Sequence, residues 1–391
     1  MSHRPQSLVV AGFGLGQIAA FACSFYLMGV LGDPIARELD LPDAFVFGTV
    51  SLSLLVPAFV APRVARRIEA GGGKAVLLAS HLVFALGLAI LGMAQHGALL
   101  ALAMGVIGLG MALGLSPTPF AILVGLYGEA ARRPITGVAL VGGLGSTVGW
   151  PLTGLVAEAL GWRGACFAWA AVQLLVCLPL SALVCPPGHA TGPKAETPHA
   201  EVRWDRPMVQ LTVLFACAWF VSTCVSAHLP RLLAAFGLPM GAATAAAGLV
   251  GIAAVTVRFL EFTVLRRLPA VLTTRVATLL HPAGAAALVA SGGAAGAALA
   301  IGQGAGNGML TVAKGVLPLS LYGPQGYAYR SALIGRPATV LQAAGPLVFA
   351  VVLERSPLAA LALTSGLCLV MFAMTFGLRS AVIRPRSPAI A

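Results

Sequence analysis

The residue with the most distinctive chemistry is Lys314, the single lysine of an otherwise apolar, glycine-rich stretch at 301–323. A charge at the centre of a membrane helix costs roughly 2.5–3.5 kcal/mol on insertion scales, so such a residue is expected to face protein or a wet cavity. There it could bind an anion or exchange a proton. The alternative is an ammonium that extends along its helix to the lipid headgroups. We predict Lys314 as substrate-binding, together with three residues on its helical face: Gln303, Asn307 and Thr311.

Carboxylates near apolar stretches are the candidates for proton coupling. Asp33 ends the first apolar stretch and is the predicted coupling residue, although it could instead pair with Arg37 four residues on. Arg258 and Glu261 stand three apart in an apolar stretch, close enough for an ion pair. They are therefore either a buried pair or part of a gate.

Polar and aromatic residues in the first and fifth apolar stretches are predicted to shape the same site: Gln17, Tyr26 and Trp150. Cys23, Cys217 and Cys224 could form a thiol-lined path for a soft metalloid such as arsenite, but small thiols in apolar helices more often pack. The chain has no Gly-x-Ser-x-Gly, H-E-x-x-H or P-loop motif and no zinc spacing. We expect neither an enzyme nor a cofactor or metal site.

Composition predicts a chain dissolved in lipid. Of 391 residues 59% are hydrophobic and 9% are charged, and the mean hydropathy is +0.94. A soluble domain would be about a quarter charged. Long apolar runs indicate helices rather than a β-barrel, and an all-α protein with twelve transmembrane helices is predicted. The predicted helices cover residues 8–31, 44–66, 75–95, 98–126, 135–159, 163–185, 208–229, 242–262, 272–291, 295–321, 333–353 and 357–379.

The net charge of +12 indicates membrane topology rather than nucleic-acid binding. With the N-terminus inside, 18 of the 24 Lys and Arg residues fall in predicted inner loops and tails and 4 in outer loops. This bias places both termini in the cytoplasm and the basic loops against anionic lipid. A monomer in a bacterial inner membrane is expected.

The chain divides at a Pro-, Ala- and charge-rich segment. Residues 186–207 are predicted to form a cytoplasmic linker between six helices at 1–185 and six at 208–391, the second set followed by a short basic tail. The halves echo each other at an offset near half the length. Gly108 matches Gly302, and Arg66–Glu69 matches Arg258–Glu261. Parallel repeats of this kind indicate a transporter with its site between two bundles.

On these features the sequence resembles the major facilitator superfamily. Residues 62–74 resemble that family's loop signature, in which an acid and basic residues brace one conformational state. The resemblance implies a gate of Glu69 with Arg66, Arg67 and Lys74, and by repetition one of Arg258 and Glu261. Gly145, Gly149, Trp150, Pro151 and Gly154 resemble a glycine–proline motif of the family's antiporters.

The predicted function is secondary active transport of a small solute by alternating access, with a proton as coupling ion. Proton-coupled export is expected from the antiporter-like motif. Uptake of a small organic anion is the alternative that Lys314 suggests, and metalloid export is a lesser one. A receptor or scaffold that keeps the fold without transport is a different class that sequence alone leaves open.

Overall fold

The computed structural model describes residues 5–186, 202 and 204–378. We call residues 5–186 the N half and residues 204–378 the C half. Most of the predicted linker and the basic tail from residue 379 lie outside the described residues. All regular secondary structure within the described ranges is helical.

The N half contains nine α-helices: α1 (Gln6–Ala22), α2 (Met28–Glu38), α3 (Asp43–Gly71), α4 (Lys74–Gly92), α5 (Gly97–Gly114), α6 (Pro117–Tyr127), α7 (Arg132–Gly142), α8 (Gly145–Val172) and α9 (Leu178–Val184). α8 comprises two helices joined at Gly161, where φ is 70° and ψ is 171°. Glycine has no Cβ and takes this backbone conformation without strain.

The C half contains six α-helices: α10 (Arg206–Ala235), α11 (Met240–Thr263), α12 (Ala270–Ser291), α13 (Gly296–Tyr322), α14 (Tyr327–Arg355) and α15 (Pro357–Met374). Across the described residues, eight stretches are long and apolar enough to cross a membrane. Two of them run through several helices, Gly97–Val184 over 88 residues and Ala270–Tyr322 over 53.

Broken helices are stabilised by side chains of neighbouring helices. α5 ends at Gly114 and α6 begins at Pro117, so the break that Pro117 and Pro119 predict is present. The Gln17 amide of α1 donates to the Gly114 carbonyl oxygen at 2.8 Å, and its own oxygen accepts from the Ser116 hydroxyl at 3.1 Å. Backbone groups left free by a break in lipid need such partners.

Glycines set the close packing inside both halves, and their pattern repeats. In α5, Gly108 packs against α3 and Gly110 against α4. In α13, Gly304 packs against α11 and Gly306 against α12, the corresponding helices of the C half. An offset of 196 pairs Gly108 with Gly304 and Gly110 with Gly306, whereas the sequence match of Gly108 with Gly302 joins glycines that pack on different neighbours, α3 and α12. An offset of 192 also pairs Gly110 with Gly302 and Gly114 with Gly306. A shift of two moves a glycine to the other side of its helix, since each residue turns the helix by about 100°.

We call the end of the N half where α2 ends and α5 begins the far end. There Glu38, the last residue of α2, connects α2 to α8. Its carboxylate accepts from the Trp162 indole at 2.6 Å and forms a 2.9 Å salt bridge with Arg163. The Trp162 hydrogen bond is the main cause that lowers the pKa of Glu38 below its ordinary value. Arg163 also donates to the carbonyl oxygens of Gly92 and Ala94.

Candidate functional site

The two halves contact each other at what we call the terminal end, where α3 and α13 end and α14 begins. Glu69, in the last turn of α3, accepts a hydrogen bond from the backbone N–H of Tyr329 at 2.9 Å. That N–H belongs to the first turn of α14, where a carboxylate is favoured by the unpaired amides and the helix dipole. Arg66 lies over the Tyr329 ring at 5.5 Å. The structure thus brings these two predicted gate residues together on one residue of the other half.

The remaining basic residues of the loop signature do not join this contact. Lys74 donates to the Ala182 carbonyl oxygen of α9 at 2.7 Å, which fastens α4 to α9 within the N half. Arg67 is exposed.

A second contact between the halves was not predicted as a contact. Arg132 donates to the Leu268 carbonyl oxygen at 2.8 Å, and Arg133 lies 5.5 Å from the centre of the Phe262 ring. The sequence shows these arginines only as inner-loop charge. α11 packs on α7 but makes no comparable contact with α8, within the part of the chain that the structure describes. Contacts between the halves also join α3 to α14, α7 to α13 and α6 to α14.

Glu261 is buried beside this second contact, with 6% of its surface exposed. Its carboxylate has a hydrogen bond with Thr273 of α12 and an electrostatic attraction to Arg132 of the N half. Its Oε2 atom is buried without a hydrogen-bond partner among the described residues. A cavity of about 10 Å³, room for about one water, is lined by Glu261, Arg132, Thr136 and Thr273.

Arg258 lies one turn before Glu261 and is also buried, with 9% exposed. One terminal nitrogen donates to the Thr311 hydroxyl of α13 at 3.3 Å. The other lies against Gly143 of the N half, where a side chain would overlap the guanidinium. The Nε atom is buried and has no partner among the described residues. Arg258 thus reaches across the boundary between the halves.

Lys314 lies one turn after Thr311 on α13. Its ammonium is 4.2 Å from the centre of the Trp219 ring of α10, and its side chain passes Gly335 of α14. An ammonium over an indole face is attracted by the ring quadrupole. Among the described residues no carboxylate pairs with it. Thr311 therefore separates two cations that approach the same face of α13, Arg258 from α11 and Lys314 from α13 itself.

One aromatic residue of the N half lies near Arg258. Tyr26, in the turn between α1 and α2, is within electrostatic range of Arg258. Its ring stacks edge-on against Trp150 of α8, with centroids 5.5 Å apart. Gly145 and Gly149 of α8 pack on Phe21 and Ala22 of α1, so the glycine motif draws α8 close to α1.

Several predicted site residues have other partners. Gln17 bonds within the N half, as described above, and Gln303 is buried beside His281 of α12. The backbone carbonyl oxygen of Asn307 accepts a hydrogen bond from the Thr311 hydroxyl. Asp33 is exposed on α2.

The structure does not bring the three thiols of the metalloid hypothesis together. Cys23 accepts from Gln173 in the N half, while Cys224 donates to the Gly345 carbonyl oxygen in the C half. Within the described ranges no group of three His, Cys, Asp or Glu residues has metal-ligand geometry.

Comparison with known proteins gives a consistent fold. The family model described as Major Facilitator Superfamily matches residues 13–313. No curated protein matches the chain. The structure of the human organic anion transporter MFSD10 (TETRAN) superposes with a TM-score of 0.71 at 17% identity, covering 95% of this chain and 100% of that one. The Escherichia coli fucose:proton symporter FucP in the outward conformation superposes with a TM-score of 0.72 at 15% identity, covering 95% and 97%.

Proposed function

Because the chain belongs to the major facilitator superfamily, and because the buried Arg258 of the C half reaches the N half at Gly143, we propose that it carries a small solute across a membrane by alternating access. The observation that carries this proposal is the interface between the halves. Glu69 and Arg132 join the halves at the terminal end, and Arg258 reaches from α11 to Gly143 of the N half and to Thr311 of α13. Lys314 follows Thr311 by one turn on α13. Binding sites of parallel-repeat transporters lie between the bundles in this way.

We further propose that twelve helices cross a bacterial inner membrane, with both termini and the terminal end in the cytoplasm, and that the protein is a monomer. The support is the bias of Lys and Arg toward the predicted inner loops. In that orientation we propose that the conformation faces outward. The support is that the polar contacts of Glu69, Arg66, Arg132 and Arg133 with the other half lie at the terminal end.

Proton-coupled export is the proposed direction, supported by the glycine–proline motif of α8. Two carboxylates are candidates for the coupling site. Asp33 is exposed, while Glu261 is buried with one oxygen beside a cavity the size of a water. A buried carboxylate changes its interactions more on protonation than an exposed one. We therefore propose Glu261 ahead of Asp33.

Uptake of a small organic anion is the second candidate. It is supported by an ammonium with no recorded carboxylate partner and by the likeness in fold to a protein described as an organic anion transporter.

The test is solute-dependent proton movement in everted membrane vesicles that contain the protein. Adding a solute that is antiported should release protons from acidified vesicles, and vesicles without the protein should not respond. Counterflow of the same solute in proteoliposomes is the second measurement. If a solute binds the purified protein but gives neither proton release nor counterflow, transport is excluded for it and a receptor is favoured. Intracellular solute that falls on deletion would contradict export.

A further inference from the structure

We propose that Arg258 binds the anionic group of the cargo, a carboxylate, sulfonate or phosphate monoester on a small organic body. This deepens the proposed function, since it assumes that the ligand of the interface is what is carried. The sequence predicted Arg258 as a gate residue, and the structure gives it a different environment from that of its repeat mate.

The mate, Arg66, is exposed and lies on an aromatic ring at the terminal end. Arg258 is buried, and the hydrogen bond recorded for its guanidinium among the described residues is to the uncharged Thr311 hydroxyl. Among the described residues Glu261, three residues on, has no salt bridge with Arg258; it attracts Arg258 electrostatically, but it interacts more strongly with Arg132 and Thr273.

A buried guanidinium with unfilled donors is costly, and buried charges in proteins are nearly always paired by direct contact. The attraction between Arg258 and Glu261 is not such a contact, because no salt bridge joins them among the described residues. Arg258 has five N–H donors, and its Nε–H has no acceptor among the described residues. The edge of a guanidinium that carries Nε–H and a terminal N–H matches the two oxygens of a carboxylate or of a larger oxyanion. An anionic ligand would supply the charge and the acceptors that this site lacks.

The surroundings favour an anion over a cation or a neutral solute. Thr311 offers a hydroxyl, and Lys314 adds a second positive charge one turn along α13, about 4.5 Å by helix rise. The Tyr26 and Trp150 rings offer an apolar wall for the rest of the molecule. Since Arg258 touches Gly143 of the other half, an anion on its guanidinium would lie at the boundary between the moving parts.

The experiment measures binding to the purified full-length protein by calorimetry. The probes are three anions with a phenyl body, namely benzoate, benzenesulfonate and phenyl phosphate, and benzamide as the neutral match of benzoate. We expect at least one anion to bind with a Kd at least about tenfold below that of benzamide. Arg258→Gln should raise that Kd at least about tenfold, and Arg258→Lys should raise it less, because charge is kept but the fork is lost.

Arg63→Gln is the matched control, because Arg63 is exposed and its hydrogen bond recorded among the described residues is to Phe59 of its own helix. It should bind like the wild type. If Arg258→Gln does not fold, the anion affinities of Arg258→Lys and Gly143→Ala test the proposal. The methyl group of Gly143→Ala displaces the guanidinium without removing its charge, so both variants should weaken anion binding.

The proposal is overturned if no anion binds the wild type at millimolar concentration, or if the folded variants bind the anion within twofold of the wild type. These outcomes differ from failure of transport. Binding without counterflow in proteoliposomes contradicts transport and supports the anion site, whereas counterflow of a neutral solute without anion binding supports transport and contradicts the anion site.

Discussion

Arg258 and Glu261 lie one turn apart on α11 and attract each other, yet no salt bridge joins them among the described residues. Arg258 is directed to Thr311 and the N half at Gly143, whereas Glu261 is directed to Thr273 and Arg132. The spacing of three permits an ion pair, but both side chains have partners on other helices. Two opposite charges on one helix can therefore act separately, one toward the cargo and one toward the closure of the terminal end.

Glu69→Gln should shift the protein toward a state that is open at the terminal end. The amide can still accept the Tyr329 N–H bond, but it loses the charge that the helix dipole favours, worth about 0.3–1 kcal/mol. That is about a two- to fivefold change in population. Distances between nitroxides at the exposed positions Ala70 and Gln325 should lengthen in a larger fraction of molecules. Glu129→Gln, at an exposed position, is the control, and equal distributions in Glu69→Gln and wild type would contradict the expectation.

Glu261→Gln should uncouple solute exchange from proton movement. A glutamine at this position cannot bind and release a proton, so counterflow should persist while solute-dependent proton release falls at least about tenfold. Asp33→Asn is the competing variant. Loss of proton release in Asp33→Asn, with retention in Glu261→Gln, would move the coupling site to α2.

Lys314→Met should reduce transport at least about tenfold while leaving the amount in the membrane unchanged. Methionine keeps much of the side-chain volume but removes the charge over Trp219, so the change tests electrostatics rather than packing. Lys314→Arg should retain part of the rate. Lys194→Met, in the predicted linker, is the control. Wild-type transport by Lys314→Met would favour a lysine with no part in binding.

Trp162→Phe should change the dependence of stability on pH. Because the pKa of Glu38 is lowered in the folded protein, its contribution is present above the unfolded pKa and is lost as pH falls through the folded pKa. Removing the indole N–H raises the folded pKa, so melting temperature should begin to fall at a higher pH than in wild type. The exposed Trp204→Phe is the control. Identical acid profiles for Trp162→Phe and wild type would exclude a role for the indole bond.

The membrane class and the all-helical fold were predictable, because lipid requires long apolar helices and leaves a clear signal in composition. The break at Pro117 was predictable because proline has no backbone N–H to donate within a helix. The register of the glycine repeat was not, since the sequence matched Gly108 with Gly302 whereas their packing pairs Gly108 with Gly304. In a chain so rich in glycine, several offsets align about equally well.

The candidate site was predictable in part. The lone charge of Lys314 indicated that it faces protein. The hydrogen bond of Gln303 with His281 of α12 could not be inferred. Spacing defines a face of the helix, but it does not say which neighbouring helix a side chain on that face contacts. The contacts of Arg132 and Arg133 with the C half depend on how two halves meet, for which one sequence offers no local signal.

The bond between Glu69 and Tyr329 uses the main chain of its partner rather than a side chain. Nineteen of the twenty common amino acids present the same amide, and only proline lacks it. Substitutions of Tyr329 by any residue except proline therefore keep the N–H that donates to Glu69. The acid at position 69 should vary less among relatives than the residue at position 329.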